Sequence, residues 1–99
     1  WVAFMKEYDP DGSLIDGNNV YGYLAAQTLV QVLKQCGNEI TRENAMKQAA
    51  NLVDFAPDML LPGIKLNTSP TDFFPVEQLR LVKFDGKTWV PFGDVLSSR

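Results

Sequence analysis

The segment from Asn18 to Gly37 constrains this chain more than any other. It reads Asn-Asn-Val-Tyr-Gly-Tyr-Leu-Ala-Ala-Gln-Thr-Leu-Val-Gln-Val-Leu-Lys-Gln-Cys-Gly. As a helix, its polar residues Gln27, Gln31, Lys34, Gln35 and Asn38 fall on one narrow stripe. Val20, Tyr23, Leu24, Ala26, Leu29, Val30, Val32, Leu33 and Cys36 cover most of the remaining surface. A helix that is apolar around so much of its girth needs more than one packing partner. The rest of a 99-residue chain offers few. The chain therefore reads as part of a larger body.

The elements around this helix follow from spacing and punctuation. Trp1, Phe4, Met5 and Tyr8 recur at i, i+3, i+4 and i+7, one face of a first helix. Asp9-Pro10-Asp11-Gly12 stops it, because Pro10 cannot continue the ladder and Gly12 allows a turn. A loop runs to about Gly17, and Asn18 or Asn19 then caps the long helix. Gly37 supplies the left-handed residue past its end. Thr41 is the N-cap of a third helix, roughly Arg42 to Val53, with Ala45, Met46, Ala49, Ala50 and Val53 as its buried face. Glu43 and Lys47 pair at i, i+4 on its outside.

Beyond Asp54 the character changes. Pro57, Pro62, Pro70 and Pro75, with Gly63, rule out long helices. Phe55 to Phe74 reads as an irregular traverse with one short strand at Ile64 to Leu66. Its Phe55, Met59, Leu60 and Leu61 are too apolar for a solvated linker. Glu77 to Phe84 then alternates as a strand, Asp85-Gly86 signals a hairpin turn, and Thr88 to Phe92 returns as its partner. Pro91 places that partner at a sheet edge. The halves are thus unlike: helical to about Val53, β from about Ile64.

Several chemistries are disfavoured. Histidine is absent, which removes most general-base mechanisms and the commonest zinc ligand. The single cysteine, Cys36, reads as a small buried hydrophobe. Twelve acidic against nine basic residues give a net charge of −3, which opposes nucleic-acid binding. No apolar run is long enough to span a bilayer. The Asp9, Asp11, Ser13, Asp16 loop fails the EF-hand pattern, with Leu14 where the turn glycine belongs and Val20 where the bidentate glutamate belongs. Asp72 beside Thr71 and Ser69 lacks a base partner and reads as a turn. Asn67-Thr68-Ser69 matches a glycosylation pattern that arises often by chance. No catalytic residue, cofactor or metal is assigned.

Asn18, Asn19 and Tyr21 are the candidate ligand-binding residues. They stand at the start of the long helix, where free N–H groups and the positive dipole end favour an anion such as a carboxylate. Adjacent asparagines add donors and acceptors for an amino or hydroxyl group. The alternative is a plain cap beside a core tyrosine.

Several of these segments resemble a known family. Tyr21-Gly22-Tyr23-Leu24-Ala25-Ala26-Gln27-Thr28-Leu29 through Lys34-Gln35-Cys36-Gly37 is similar to a late helical region of type I periplasmic solute-binding proteins. These are the binding components of ABC importers in the branched-chain amino acid group. Thr41-Arg42-Glu43-Asn44 resembles the start of their next helix. Leu61-Pro62-Gly63-Ile64-Lys65-Leu66-Asn67-Thr68-Ser69-Pro70-Thr71-Asp72-Phe73, then Phe84-Asp85-Gly86-Lys87-Thr88-Trp89 and Phe92-Gly93, resemble the closing segment of a bacterial subgroup.

The resemblance implies an α/β fold, with this chain as the C-terminal part of a bilobal type I periplasmic-binding fold. Residues 1–56 would be the helical part of one lobe, 57–75 the Pro-rich crossing, and 76–99 the β-hairpin of the other lobe. It implies that Asn18, Asn19 and Tyr21 face the cleft. It also implies a periplasmic, non-enzymatic protein that captures a small polar solute (an amino acid, amide or aromatic acid) by hinge closure and delivers it to a membrane permease. A ligand-sensing receptor domain and a non-enzymatic partner-binding module are the alternatives. A body missing most of its sheets leaves strand edges and apolar patches bare, so the chain alone is expected to self-associate.

Overall fold

The computed structural model describes residues 1–98 and is mixed α/β. Helix α1 (Val2–Tyr8) is followed by α2 (Gly17–Cys36) and α3 (Arg42–Ala49). Strands β1 (Gln78–Leu79), β2 (Val82–Phe84), β3 (Trp89–Pro91) and β4 (Leu96–Ser97) close the chain.

The cap of α2 is Asp16 rather than either asparagine. Its carboxylate accepts from the Asn18 N–H at 2.9 Å. An ionised side chain answers the helix dipole better than a neutral amide, so the acidic residue takes the position. Gly37 has φ +59 at the other end. Thr41 caps α3 as expected, accepting from the Asn44 N–H at 3.1 Å. That helix is shorter than its apolar spacing suggests, stopping at Ala49. Met46 and Val53, read as buried, are 68% and 73% exposed.

In the polar stripe of α2 the three glutamines are half-buried and bonded within the chain, while Lys34 and Asn38 are exposed. Gln27 Oε1 accepts from the Asp58 N–H at 2.9 Å. Gln31 donates to Gln35 Oε1 at 3.1 Å, and Gln35 donates to Gln48 Oε1 at 3.3 Å and to the Asn51 carbonyl at 3.2 Å. Asn44 of α3 donates to the carbonyls of Glu39 and Cys36. Carbonyls at the ends of α2 and α3 have no intrahelical partner, and carboxamides can satisfy them. The amides are therefore drawn inward, and apolar Leu29 is left 58% exposed.

The chain after α3 is stapled back beneath it. Thr68 Oγ1 donates to the Ala49 carbonyl at 2.7 Å and accepts from the Leu52 N–H at 2.9 Å. Phe55 and Leu66 exchange both backbone hydrogen bonds, at 3.0 and 2.7 Å. Asp54, with φ +49, turns the chain between these ties, and Asn67 Oδ1 accepts from its N–H. The buried apolar residues are Met5, Val32, Cys36, Leu52, Ile64 and Leu66, so Cys36 is the buried hydrophobe its surroundings suggested. Ser69 and Asp72 exchange backbone bonds and cap a tight turn, as the reading of that cluster held.

The C-terminal hairpin is longer and more bent than the alternation implied. The expected single strand from Glu77 to Phe84 is split into β1 and β2. Its partner is split into β3 and β4, with Gln78 opposite Ser97 and Val82 opposite Pro91. The second arm carries two extra residues between these registers, where Gly93 has φ +70. A bulge of this kind bends the pair and strengthens its twist. Asp85 and Thr88 flank the turn, with Gly86 at the first central position and φ +98. The Asp85 carboxylate accepts from the N–H groups of Lys87 and Thr88, at 2.9 and 2.8 Å.

The whole is open and flat, 50 × 37 × 15 Å. Its radius of gyration is 16.0 Å, against about 13 Å for a closed 100-residue domain. Its accessible surface is 7597 Å², against about 5,700 Å² for a folded chain of this mass.

Candidate functional site

The groove that receives the expected ligand-binding residues lies where α1 crosses the first turns of α2. Trp1 and Phe4 of the first segment pack on Tyr23 of α2, with edge-on ring contacts at 5.5 and 4.8 Å. The Trp1 indole N–H donates to the Leu14 carbonyl at 3.0 Å and fixes the connecting loop over this junction. Aromatic rings in such a cluster supply apolar area and a defined geometry together. Phe4 also meets Tyr8 at 5.0 Å, so one face of α1 becomes an aromatic wall.

The groove has a volume of about 640 Å³ and is open to solvent, within the size range of small-molecule sites. Trp1, Phe4 and Met5 form one side, Gly22, Tyr23 and Ala26 the floor, and Phe55 closes part of the far side. Gly22 and Ala26 stand one helical turn apart, and their small side chains keep the floor low. Asn18 and Asn19 stand at one end. The Asn19 amide is half-engaged, donating to the Ser13 carbonyl at 3.0 Å. The Asn18 side chain makes no hydrogen bond among the described residues and is exposed. The helix N-terminus itself is already answered by the Asp16 carboxylate, and the N–H groups of Asn19 and Val20 reach the Asp16 carbonyl at 3.1 and 3.4 Å.

Tyr21, the third expected residue, lies outside the groove and is 74% exposed. It stands about 200° around the helix from Asn19, two residues on. Four polar lining residues, Asp9, Gln27, Gln31 and Lys34, were not expected in the site. Asp9 and Lys34 bring one charge of each sign, and Gln31 brings a further amide. Lys34 was visible at four-residue spacing from Gly22, Ala26 and Val30, but Asp9 is brought in only by the packing of α1. Among the described residues there is no group of three His, Cys, Asp or Glu side chains arranged for a metal ion. No helix is long and apolar enough to cross a membrane.

In comparison with known proteins, the chain matches no family model, no curated protein and no solved structure.

Proposed function

We propose that this chain is the closing part of a type I solute-binding protein, the capture component of an ABC importer, acting on a small polar solute in the periplasm. The observation that carries the reading is the groove, with paired carboxamides at one end, aromatic rings along one side and a face open to water. Such a groove is half of a cleft. A second lobe closing over it would desolvate the solute and complete its hydrogen bonds. The Asn18 amide, with no hydrogen-bond partner among the described residues, offers two donors and an acceptor to a carboxylate, amide or amino group. The crossing 57–75 would carry the hinge, and solute would shift the population toward the closed form. No step in this scheme is catalytic. Delivery to a membrane permease follows as the role of the closed form.

The exposed side of α2, with Leu29 in water outside the groove, favours a second reading as a partner-binding module. A thermal-melt screen of the polypeptide that carries this chain separates the two. Amino acids, short amides and aromatic acids are the panel. A saturable rise in melting temperature with one class supports solute capture, because a ligand that binds the folded state alone must stabilise it. Asn18→Ala should weaken that response by about three- to tenfold in Kd, the value of one hydrogen bond, with little change in the unliganded melt. No response from a well-folded protein moves the reading to the partner-binding module.

A further inference from the structure

The two outer edges of the hairpin differ. Phe92 donates to the Leu81 carbonyl and Asp85 to the Thr88 carbonyl, both at 3.0 Å, and Ser98 donates to the Glu77 carbonyl at 3.0 Å. Odd-numbered residues of the first arm thus bond inward, and the N–H and C=O groups of Arg80, Val82 and Phe84 point outward. On the second arm the outward positions include Pro91, which has no N–H, followed by the two-residue bulge at Gly93. Proline and bulges are the devices that block strand addition. One edge carries both and the other carries neither.

We propose that the free edge of β2 pairs antiparallel with the same edge of a second copy, about a two-fold axis through Val82, to give one four-stranded sheet. Charge and side-chain engagement distinguish three registers. Centring on Lys83 sets two ammonium groups opposite each other, which is repulsive. Centring on Leu81 runs the ladder through Gln78, whose side chain is already engaged by the Lys65 N–H at 2.9 Å. Centring on Val82 sets Arg80 opposite Phe84, a cation over an aromatic ring, and Lys83 opposite Leu81. Arg80 Nε is buried without a hydrogen-bond partner among the described residues.

The pairing rests on the hairpin alone and is independent of the solute-binding reading.

Sedimentation equilibrium of the full 99-residue chain tests it together with two cysteine variants. The chain should be a dimer at micromolar concentration. Val82→Pro, which removes an outward donor and no inward one, should weaken association at least about tenfold. Val82→Cys should oxidise to a symmetric disulfide, since its Cα atoms would lie about 5.5 Å apart, inside the disulfide range. Val90→Cys, three strand spacings or about 14 Å from its mate, should not. If Val82→Pro disrupts folding, the two cysteine variants decide. A monomer, a dimer that folded Val82→Pro does not loosen, or equal cross-linking at Val90 overturns the proposal.

Discussion

Leu52 and Leu81 are the same residue type in different surroundings. Leu52 is 3% exposed beneath α3, with Ile64 and Leu66 also buried in the stretch that follows. Leu81 is 47% exposed in a hairpin that contains no buried residue among those described. The helical half and the crossing share a small core of their own. The hairpin has apolar side chains on both faces, Val82, Phe84 and Trp89 on one and Leu81, Val90 and Phe92 on the other, and each is 43–65% exposed. A two-stranded hairpin is marginal in water without a covering layer. The contrast teaches that the chain's two parts depend unequally on what lies outside it.

The sharpest way to break that comparison is to truncate both leucines. Leu52→Ala should cost about 2–5 kcal/mol in urea denaturation, as for other filled core positions. Leu81→Ala should cost about 0.5 kcal/mol or less when the chain is dilute. Equal costs would mean that the hairpin is packed as well as the helices. Next in size is Thr68→Val. It keeps the shape but strands the Leu52 N–H and the Ala49 carbonyl, and should cost about 1–3 kcal/mol. Thr41→Ala removes the cap of α3 and should cost about 1 kcal/mol, read as lost helical circular dichroism on heating.

The smallest effect belongs to Asp85. The N–H groups of Thr88 and then Lys87 hold its carboxyl below the ordinary carboxylate value. Its folded pKa is depressed, so its contribution to the turn is present above the unfolded value of about 3.9 and is lost as pH falls through the lower folded value. Hairpin amide signals near Trp89 should weaken in that acid window in the native chain, and the pH dependence should vanish in Asp85→Asn.

Local signals carried much of the fold. Thr41 could be read as a cap, Gly37 as a terminator, Cys36 as buried and Asp85-Gly86 as a turn site, because each answers to neighbours within a few residues. The misses have more than one physical origin. Asp16 displaced the asparagines as cap through a charge effect that spacing does not show. Gln35 turned inward to the carbonyls of Gln48 and Asn51, and Gln27 to the N–H of Asp58, all remote in sequence. Val53 stayed in water because α3 stops at Ala49 and the chain turns away at Asp54, while Met46 is exposed within α3 itself. In the groove, Asn18 and Asn19 were legible from the helix start. Tyr21 was placed with them by proximity in sequence, which on a helix is not proximity in space.

The proposal that a solute is captured by closure is tested most directly by small-angle X-ray scattering on the polypeptide that carries this chain, titrated with the solute class that raises its melting temperature. The account predicts a saturable fall in the radius of gyration whose midpoint tracks the melting shift. A saturable melting shift with an unchanged radius would contradict hinge closure and leave a rigid binding site in its place.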